Sequence, residues 1–316
     1  MEIIEGIDRY NNAMGGTCVT VGTFDGLHVG HRKIMDVLVR QAREEGLRSV
    51  VVTFDPHPRQ VLSPDSKLKF VLTRREKEEM FAALGIDVLV IHPFSRAFAA
   101  LSAKEFLSGV LKDRLMMRRL VKGFNNHFGC DRLSDLGEIQ RLGEECGFSV
   151  TQVGAECRGG VSASSTLVRR LIGDGSMEDA AAILGYDYFF EGEVVHGRMI
   201  GRTIGFPTAN INIGDDSKIL PRTGAYVAAV KVDNDVKPWP TILNVGSNPT
   251  VNNVDDRVFL EAHLIGFDGD LYGRRVRVSV LHRLRDEVKF GTLSQLKRQL
   301  QHDTEAAQSF ICQYAS

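Results

Sequence analysis

Gly22-Thr23-Phe24-Asp25-Gly26-Leu27-His28-Val29-Gly30-His31 joins a β-branched run, Cys18–Val21, to residues at helical spacing, Ile34, Val37, Leu38 and Gln41, that stop near Gly46. The pattern predicts a strand, a glycine-rich turn and a helix. In open α/β sheets ligands bind beyond the carboxyl ends of strands, where helix N-termini offer unpaired N–H groups to anions. Gly22, Gly26 and Gly30 would let the backbone bend and come close to a phosphate. His28 and His31, three apart, fall on one face of the opening turn. There they could donate hydrogen bonds to phosphate oxygens as charge develops on a leaving pyrophosphate. Seen alone, an H-x-x-H pair is more often a pair of surface caps, and a zinc reading lacks a third ligand at suitable spacing.

Outward from this turn the same alternation continues. Ser49–Phe54 is a second β-branched run and Val88–Ile91 a short strand, while Thr73-x-x-Glu76 and Ser102-x-x-Glu105 read as capping boxes that open helices. Strand and helix in regular alternation imply a parallel sheet covered on both faces. The basic residues Arg114, Arg118 and Arg119 read as a solvated helix face.

After Tyr188 the period changes. Tyr226–Val232, Thr241–Val245, Val258–Ile265 and Val276–Leu284 are strand-like and separated by Gly, Asp, Asn and Pro. Val276, Val278 and Val280 alternate with Arg277 and Ser279, as in a sheet with one wet face. Thr292-x-x-Gln295 could cap a helix from Leu293 to about Ala307. The expectation is an α/β domain over residues 1–186 and a small antiparallel β-barrel with a C-terminal helix over 187–316. A length of 316 residues agrees with two domains.

Lys plus Arg (39) nearly cancels Asp plus Glu (40). No net field therefore draws in nucleic acid or an anionic membrane, and any anion must be met by local groups. Five cysteines, Cys18, Cys130, Cys146, Cys157 and Cys312, are scattered without a C-x-x-C pair, which argues against a disulfide framework or a zinc site. With no leader-like N-terminus and no apolar run of about 18 residues, a cytoplasmic protein is expected. The sequence leaves the oligomeric state open, a homo-oligomer included.

Gly22–His31 resembles the H-x-G-H signature of nucleotidyltransferases, in the form found in bacterial bifunctional riboflavin kinase/FMN adenylyltransferases (FAD synthetases). Further segments resemble that family in order: Thr53–Pro58 with His57 and Pro58 in a loop beside the flavin, Gly123–Gly129, and Ser164-Ser165-Thr166-Leu167-Val168-Arg169 over the ATP phosphates. The resemblance implies an α/β nucleotidyltransferase domain of Rossmann-like parallel sheet. It implies ATP or phosphate binding by Gly22, Phe24, Asp25, Gly30, Asn125, Ser164, Ser165, Thr166 and Arg169. Hydroxyls at a helix start and an arginine one turn on suit that task. Asn125 stands where many relatives carry Asp; its amide still offers neutral hydrogen bonds to adenine or ribose. The nucleophile, an FMN phosphate, is already anionic, so alignment and charge stabilisation by His28 and His31 would suffice.

In the second half no G-x-x-x-x-G-K-[ST] occurs. Gly201-Arg202 followed by Gly205-Phe206-Pro207-Thr208-Ala209-Asn210 resembles the riboflavin kinase G-R-x-x-G-x-P-T-A-N instead. The resemblance implies Gly201, Arg202, Thr208 and Asn210 at ATP, with Thr208 and Asn210 as neutral oxygen ligands of Mg²⁺. Asn244–Thr250 and Glu261-Ala262-His263-Leu264 resemble two further blocks. Val258, Leu260, Ala262 and Leu264 form one apolar face, so Glu261 points the other way, beside Phe259 and His263. The family likeness makes Glu261 the general base for the riboflavin 5′-hydroxyl. Arg285, Glu287 and Phe290 fall in a segment resembling the flap over the flavin, and Trp239 is expected in strand core. ATP as co-substrate, riboflavin, FMN and FAD as substrates or products, and Mg²⁺ follow from the resemblance. A non-catalytic flavin or nucleotide sensor of the same fold is the alternative; intact phosphate-facing positions count against it.

Overall fold

Every strand of the six-stranded sheet in the first half lies parallel to its neighbours, as buried β-branched runs interrupted by amphipathic helices require. The computed structural model describes residues 1–11, 15–65, 67–158, 160–197, 205–233, 235–247 and 258–314. They form two compact units, Met1–Ser165 and Thr166–Ser316.

The first unit runs β1 (Glu2–Glu5), β2 (Thr17–Val21), α1 (Val29–Glu44), β3 (Arg48–Phe54), α2 (Pro58–Leu62), α3 (Arg74–Ala83), β4 (Val88–His92) and α4 (Arg96–Ala99). A π-helical segment, Glu105–Lys112, leads through α5 (Asp113–Leu115) to β5 (Met117–Gly123). Then come α6 (Leu136–Cys146), β6 (Ser149–Val153) and a two-stranded ribbon, β7 (Cys157–Arg158) and β8 (Val161–Ser162). The sheet order is β1-β4-β3-β2-β5-β6, with Val19 in register with both Val50 and Leu120. Strands β2 and β3 are buried almost throughout. At roughly 1.5–3 kcal/mol per buried Val or Leu side chain, these strands anchor the unit. The chain order reverses direction at β2: β3 and β4 lie to one side, β5 and β6 to the other. Such a switch point leaves a crevice at the strand C-termini.

Three readings need correction. Arg118 and Arg119 lie in β5 rather than on a helix: Met116 adopts a left-handed conformation (φ 53°) that stops α5, and Arg119 pairs with Glu45. Ser102 and Glu105 do exchange capping hydrogen bonds, but the segment they open is π-helical. Trp239 begins a strand half-buried, its indole N–H donating to Asp235, and is not core.

The second unit begins in α7 (Ser165–Asp174) and α8 (Met177–Leu184). A closed antiparallel barrel follows, ordered β10-β13-β12-β11-β14-β9. Its strands are β9 (Phe189–Val195), β10 (Ala209–Asn212), β11 (Gly224–Val232), β12 (Trp239–Ser247), β13 (Val258–Leu264) and β14 (Arg275–Arg285). Val276, Val278 and Val280 are buried while Arg277 and Ser279 face outward, as their alternation predicts. Helix α9 (Leu293–Tyr314) is longer than expected and packs Ala307, Phe310 and Ile311 on Val227, Ile242 and Leu281. Within this unit Gly175 lies so close to Arg283 and Tyr226 that an added Cβ would come within 2.6 Å of the arginine, and Glu178 meets His282. Among the described residues no helix is long and apolar enough to cross a membrane.

Candidate active site

The turn after β2 is built around one aromatic ring. Phe24 sits in the left-handed region (φ 47°) with its ring edge-on to His31 and Phe81, at 5.2 and 6.0 Å. A Cβ on Gly22 would lie 2.9 Å from that ring, so only glycine fits there. His28 precedes α1 as its N-cap residue and stacks on His31, ring centroids 3.7 Å apart. Both Nδ1 atoms are buried, with no hydrogen-bond partner in the protein. Burial holds the His28 imidazole down at about 4 and drives His31 well below its ordinary value, with His28 and Lys77 adding to the effect on His31. Both rings are therefore neutral at pH 7, each with one N–H to donate.

These rings line a cavity of about 250 Å³ together with Gly22, Gly30, Asn125, Ser164 and Ser165. Residues from four separate stretches of sequence, 22–34, 123–126, 153–156 and 163–165, thus meet at the C-terminal edge of the sheet. Ser165 Oγ donates to the Asp25 carbonyl at 2.7 Å, tying the start of α7 to the turn. Asp25 itself does not line the cavity. Its carboxylate, 1 % exposed, accepts the Val71 and Leu72 N–H groups and shapes the turn from beneath. Thr166 and Arg169 follow in α7, three apart and on one face of the helix.

A second cavity, about 570 Å³, opens beside the first, with the rings of Phe54, Phe94, Phe98, Phe106 and Phe128 in its wall. Pro58 lines it, whereas His57 caps α2 by accepting the Arg59 N–H and packs on Phe70. Gly22, Thr23 and Asn126 belong to both cavities, and Asn126 is fixed by donating to the Val21 carbonyl at 2.9 Å. The sequence reading missed this aromatic chamber. Its five rings come from β3, α4, the π-helical segment and two loops, so no single local pattern gathers them.

In the barrel, Thr208 and Ala209 line a cavity of about 660 Å³ with Phe267, Asp268, Asp270 and Tyr272. Asn210 and Glu261 are register partners across β10 and β13, which puts their side chains next to each other on one face. Glu261 is half-buried, between Leu260 and Ala262, which face the core. His263, on the same face of β13, hydrogen-bonds the Pro207 carbonyl at 2.8 Å. The Asn210 amide lies over Gly197, where an added Cβ would fall 1.9 Å from its Nδ2. Arg285 is committed to Asp303 of α9 through Nε and Nη2, the latter at 2.7 Å, with the Phe290 ring 5.9 Å away. Glu287 is exposed on the segment between them. Gly201 and Arg202 lie outside the described residues, as do Asn248, Pro249 and Thr250.

A glycine- and serine-lined crevice with paired imidazoles at a parallel-sheet switch point, followed by a closed barrel carrying a carboxylate beside an amide, is the arrangement of a two-domain enzyme of the transferase class. Comparison with known proteins agrees. The family model described as FAD synthetase matches residues 11–167, and that described as riboflavin kinase matches 184–311. The bifunctional riboflavin kinase/FMN adenylyltransferase of Escherichia coli (strain K12) is 37% identical over 98% of each chain. That of Pseudomonas fluorescens is 35% identical over 98% of this chain and 97% of its own. A crystal structure described as a macrolide-efflux protein from Streptococcus pneumoniae superposes with a TM-score of 0.89 at 30% identity, covering 98% of this chain and 99% of the other. The chain belongs to the bifunctional riboflavin kinase/FMN adenylyltransferase family.

Proposed function

We propose that this protein makes FAD from riboflavin in two ATP-dependent steps, one on each half of the chain. The observation that carries the second step is the shared wall of the two N-terminal cavities at Gly22, Thr23 and Asn126. An aromatic chamber suits an isoalloxazine ring, and a glycine-, serine- and imidazole-lined crevice suits a nucleotide. Substrates so placed would meet phosphate to phosphate at the shared wall.

There an FMN phosphate oxygen attacks the α-phosphorus of ATP. A P–O bond forms, the α–β bridge breaks, and pyrophosphate leaves; no proton has to be moved. His28 and His31 donate N–H hydrogen bonds to oxygens whose charge rises in the transition state. Ser164, Ser165, Thr166 and Arg169 bind ATP phosphates, and Asn125 an adenine or ribose edge. Gly22, Phe24, Asp25 and Gly30 give the turn its shape, and Pro58 bounds the flavin side, with His57 capping the helix that carries it.

In the barrel the riboflavin 5′-oxygen attacks the γ-phosphorus of ATP, its bond to ADP breaks, and Glu261 takes the hydroxyl proton. Thr208 and Asn210 offer neutral oxygens, and the packing of Asn210 on Gly197 holds its amide plane in place. That donor set fits Mg²⁺, a hard cation that favours oxygen ligands, and Thr208 and Asn210 would hold it. When bound, the ion would neutralise charge on the transferred phosphate. Gly201 and Arg202 extend this nucleotide site, and Arg285, Glu287 and Phe290 border the flavin. Functionally the division falls at residues 186/187, with α7 and α8 serving adenylyl transfer. We place the enzyme in the cytoplasm, where its five cysteines remain reduced, with flavins and ATP as its partners rather than nucleic acid or membrane.

Two variants test the division of labour. Glu261→Ala should lower FMN formation from riboflavin by roughly 10²–10⁴-fold and leave FAD formation from supplied FMN intact. His28→Ala should do the reverse. Loss of both activities in both variants, each still folded, would overturn it.

A further inference from the structure

Two ties run in opposite directions between the turn at the junction of the N-terminal cavities and helix α3. The Asp25 carboxylate reaches down to the Val71 and Leu72 N–H groups, at 2.9 and 3.3 Å, in the strand of chain that enters α3 through its Thr73 cap. From within α3, the Lys77 ammonium reaches up and donates to the Thr23 carbonyl at 3.0 Å. The side chain of the turn thus holds the helix entry, and the side chain of the helix holds the turn.

The turn needs such holding. Phe24 (φ 47°) and Leu27 (φ 35°) both occupy the left-handed region, which is unfavourable for residues with a Cβ and persists only where the surroundings fix it. Neither can be relieved by glycine without losing a buried side chain. Thr23, between Gly22 and Phe24, lines both cavities. Its peptide stands where two polyanionic substrates have to meet in line.

The charge at this point also matters. His28 and His31 are kept neutral by burial, so they bring no net positive charge to the resting crevice. Burial lowers the Lys77 ammonium too, while Asp25 and Asp55 act in the opposite direction and favour its charged form.

We propose that Lys77 is a positioning residue for adenylyl transfer: its ammonium fixes the Thr23 peptide at the wall shared by the two cavities and so aligns the FMN phosphate with the ATP α-phosphate. The proposal rests on the adenylyltransferase reading of this site. Lys77 acts through Thr23 and takes no proton.

The test uses the full chain with supplied FMN, ATP and Mg²⁺, measuring kcat and both KM values for wild type, Lys77→Met, Lys77→Arg and Lys77→Ala. A hydrogen bond from a charged donor is worth about 10- to 100-fold in such a comparison. Lys77→Met is expected to lose that much in kcat, with the KM for ATP within about threefold and riboflavin phosphorylation unchanged. Lys77→Arg should recover part of the loss, and methylammonium or ethylammonium should partly restore Lys77→Ala. A stability role alone would lower the melting temperature but give neither rescue by amines nor a split between kcat and KM, and that result overturns the proposal. So does a wild-type kcat in Lys77→Met. If wild type forms no FAD from FMN, the adenylyltransferase reading itself fails, and the proposal fails with it.

Discussion

A histidine that cannot hold a proton at neutral pH leaves a signature in stability as well as in chemistry. The native protein keeps His28 deprotonated down to about pH 4, whereas the unfolded chain protonates it near 6.5. Between those values the unfolded chain binds more protons, so stability rises with pH through the window and is complete above it. From pH 7 to pH 4 this one group should cost on the order of 3 kcal/mol. Urea midpoints at stepped pH, compared between wild type and His28→Asn, would show it, and NMR titration would place the ring directly. A His28 that titrates near 6.5 contradicts the account. At this scale the spacing of His28 and His31, the hydroxyls at 164 and 165 and the amide at 125 were legible, because each motif is local. The tasks of Asp25 and Arg285 were not. Asp25 meets Val71, 46 residues on, and Arg285 meets Asp303, 18 residues on, and no local pattern announces either partner.

Among the elements, the strands that follow a strict period were read within a residue or two. Gly224–Val232 and Arg275–Arg285 contain the runs that alternation picked out. The misses have physical causes. Strand β1 is four residues long with only Ile4 buried, too little for a pattern to register. Strand β5 carries Arg118 and Arg119, whose charges imitate a helix face, while Arg119 pairs with Glu45 at the end of α1 and donates to Thr151 of β6. Besides its apolar face, helix α9 is tied to β14 by an ion pair: Asp303 is 3 % exposed and accepts two N–H groups of Arg285. Asp303→Ala leaves that guanidinium without its carboxylate and should cost about 3–5 kcal/mol in denaturant unfolding of the barrel unit. A loss below about 1 kcal/mol would mean that the pair is not what holds α9 to β14. If Arg285 also borders the flavin, the same variant should raise the KM for riboflavin.

For the whole chain, the change from helical to two-residue period after Tyr188 announced a parallel-sheet half and a barrel half, and both are present. The helices between them are less simple. The two compact units divide at Ser165/Thr166, the family models leave residues 168–183 between them, and the functional division proposed here falls later, at 186/187. Period alone locates where barrel strands begin but not which core a preceding helix joins, since α7 and α8 have apolar faces that could suit either. The two imidazoles and the paired cavities lie in the first unit and Glu261 with Asn210 in the second, while Thr166 and Arg169 follow the division at Ser165/Thr166.

That claim, two separate transfers on one chain, is tested most directly by following products from a single substrate. Purified protein with riboflavin, ATP and Mg²⁺ is sampled over time, the flavins are separated by chromatography, and ADP and pyrophosphate are measured in the same samples. The account predicts that FMN appears first and then declines into FAD, with one ADP released for each FMN formed and one pyrophosphate for each FAD. Saturable flavin binding with no change in any of the four products would contradict it and favour a sensor.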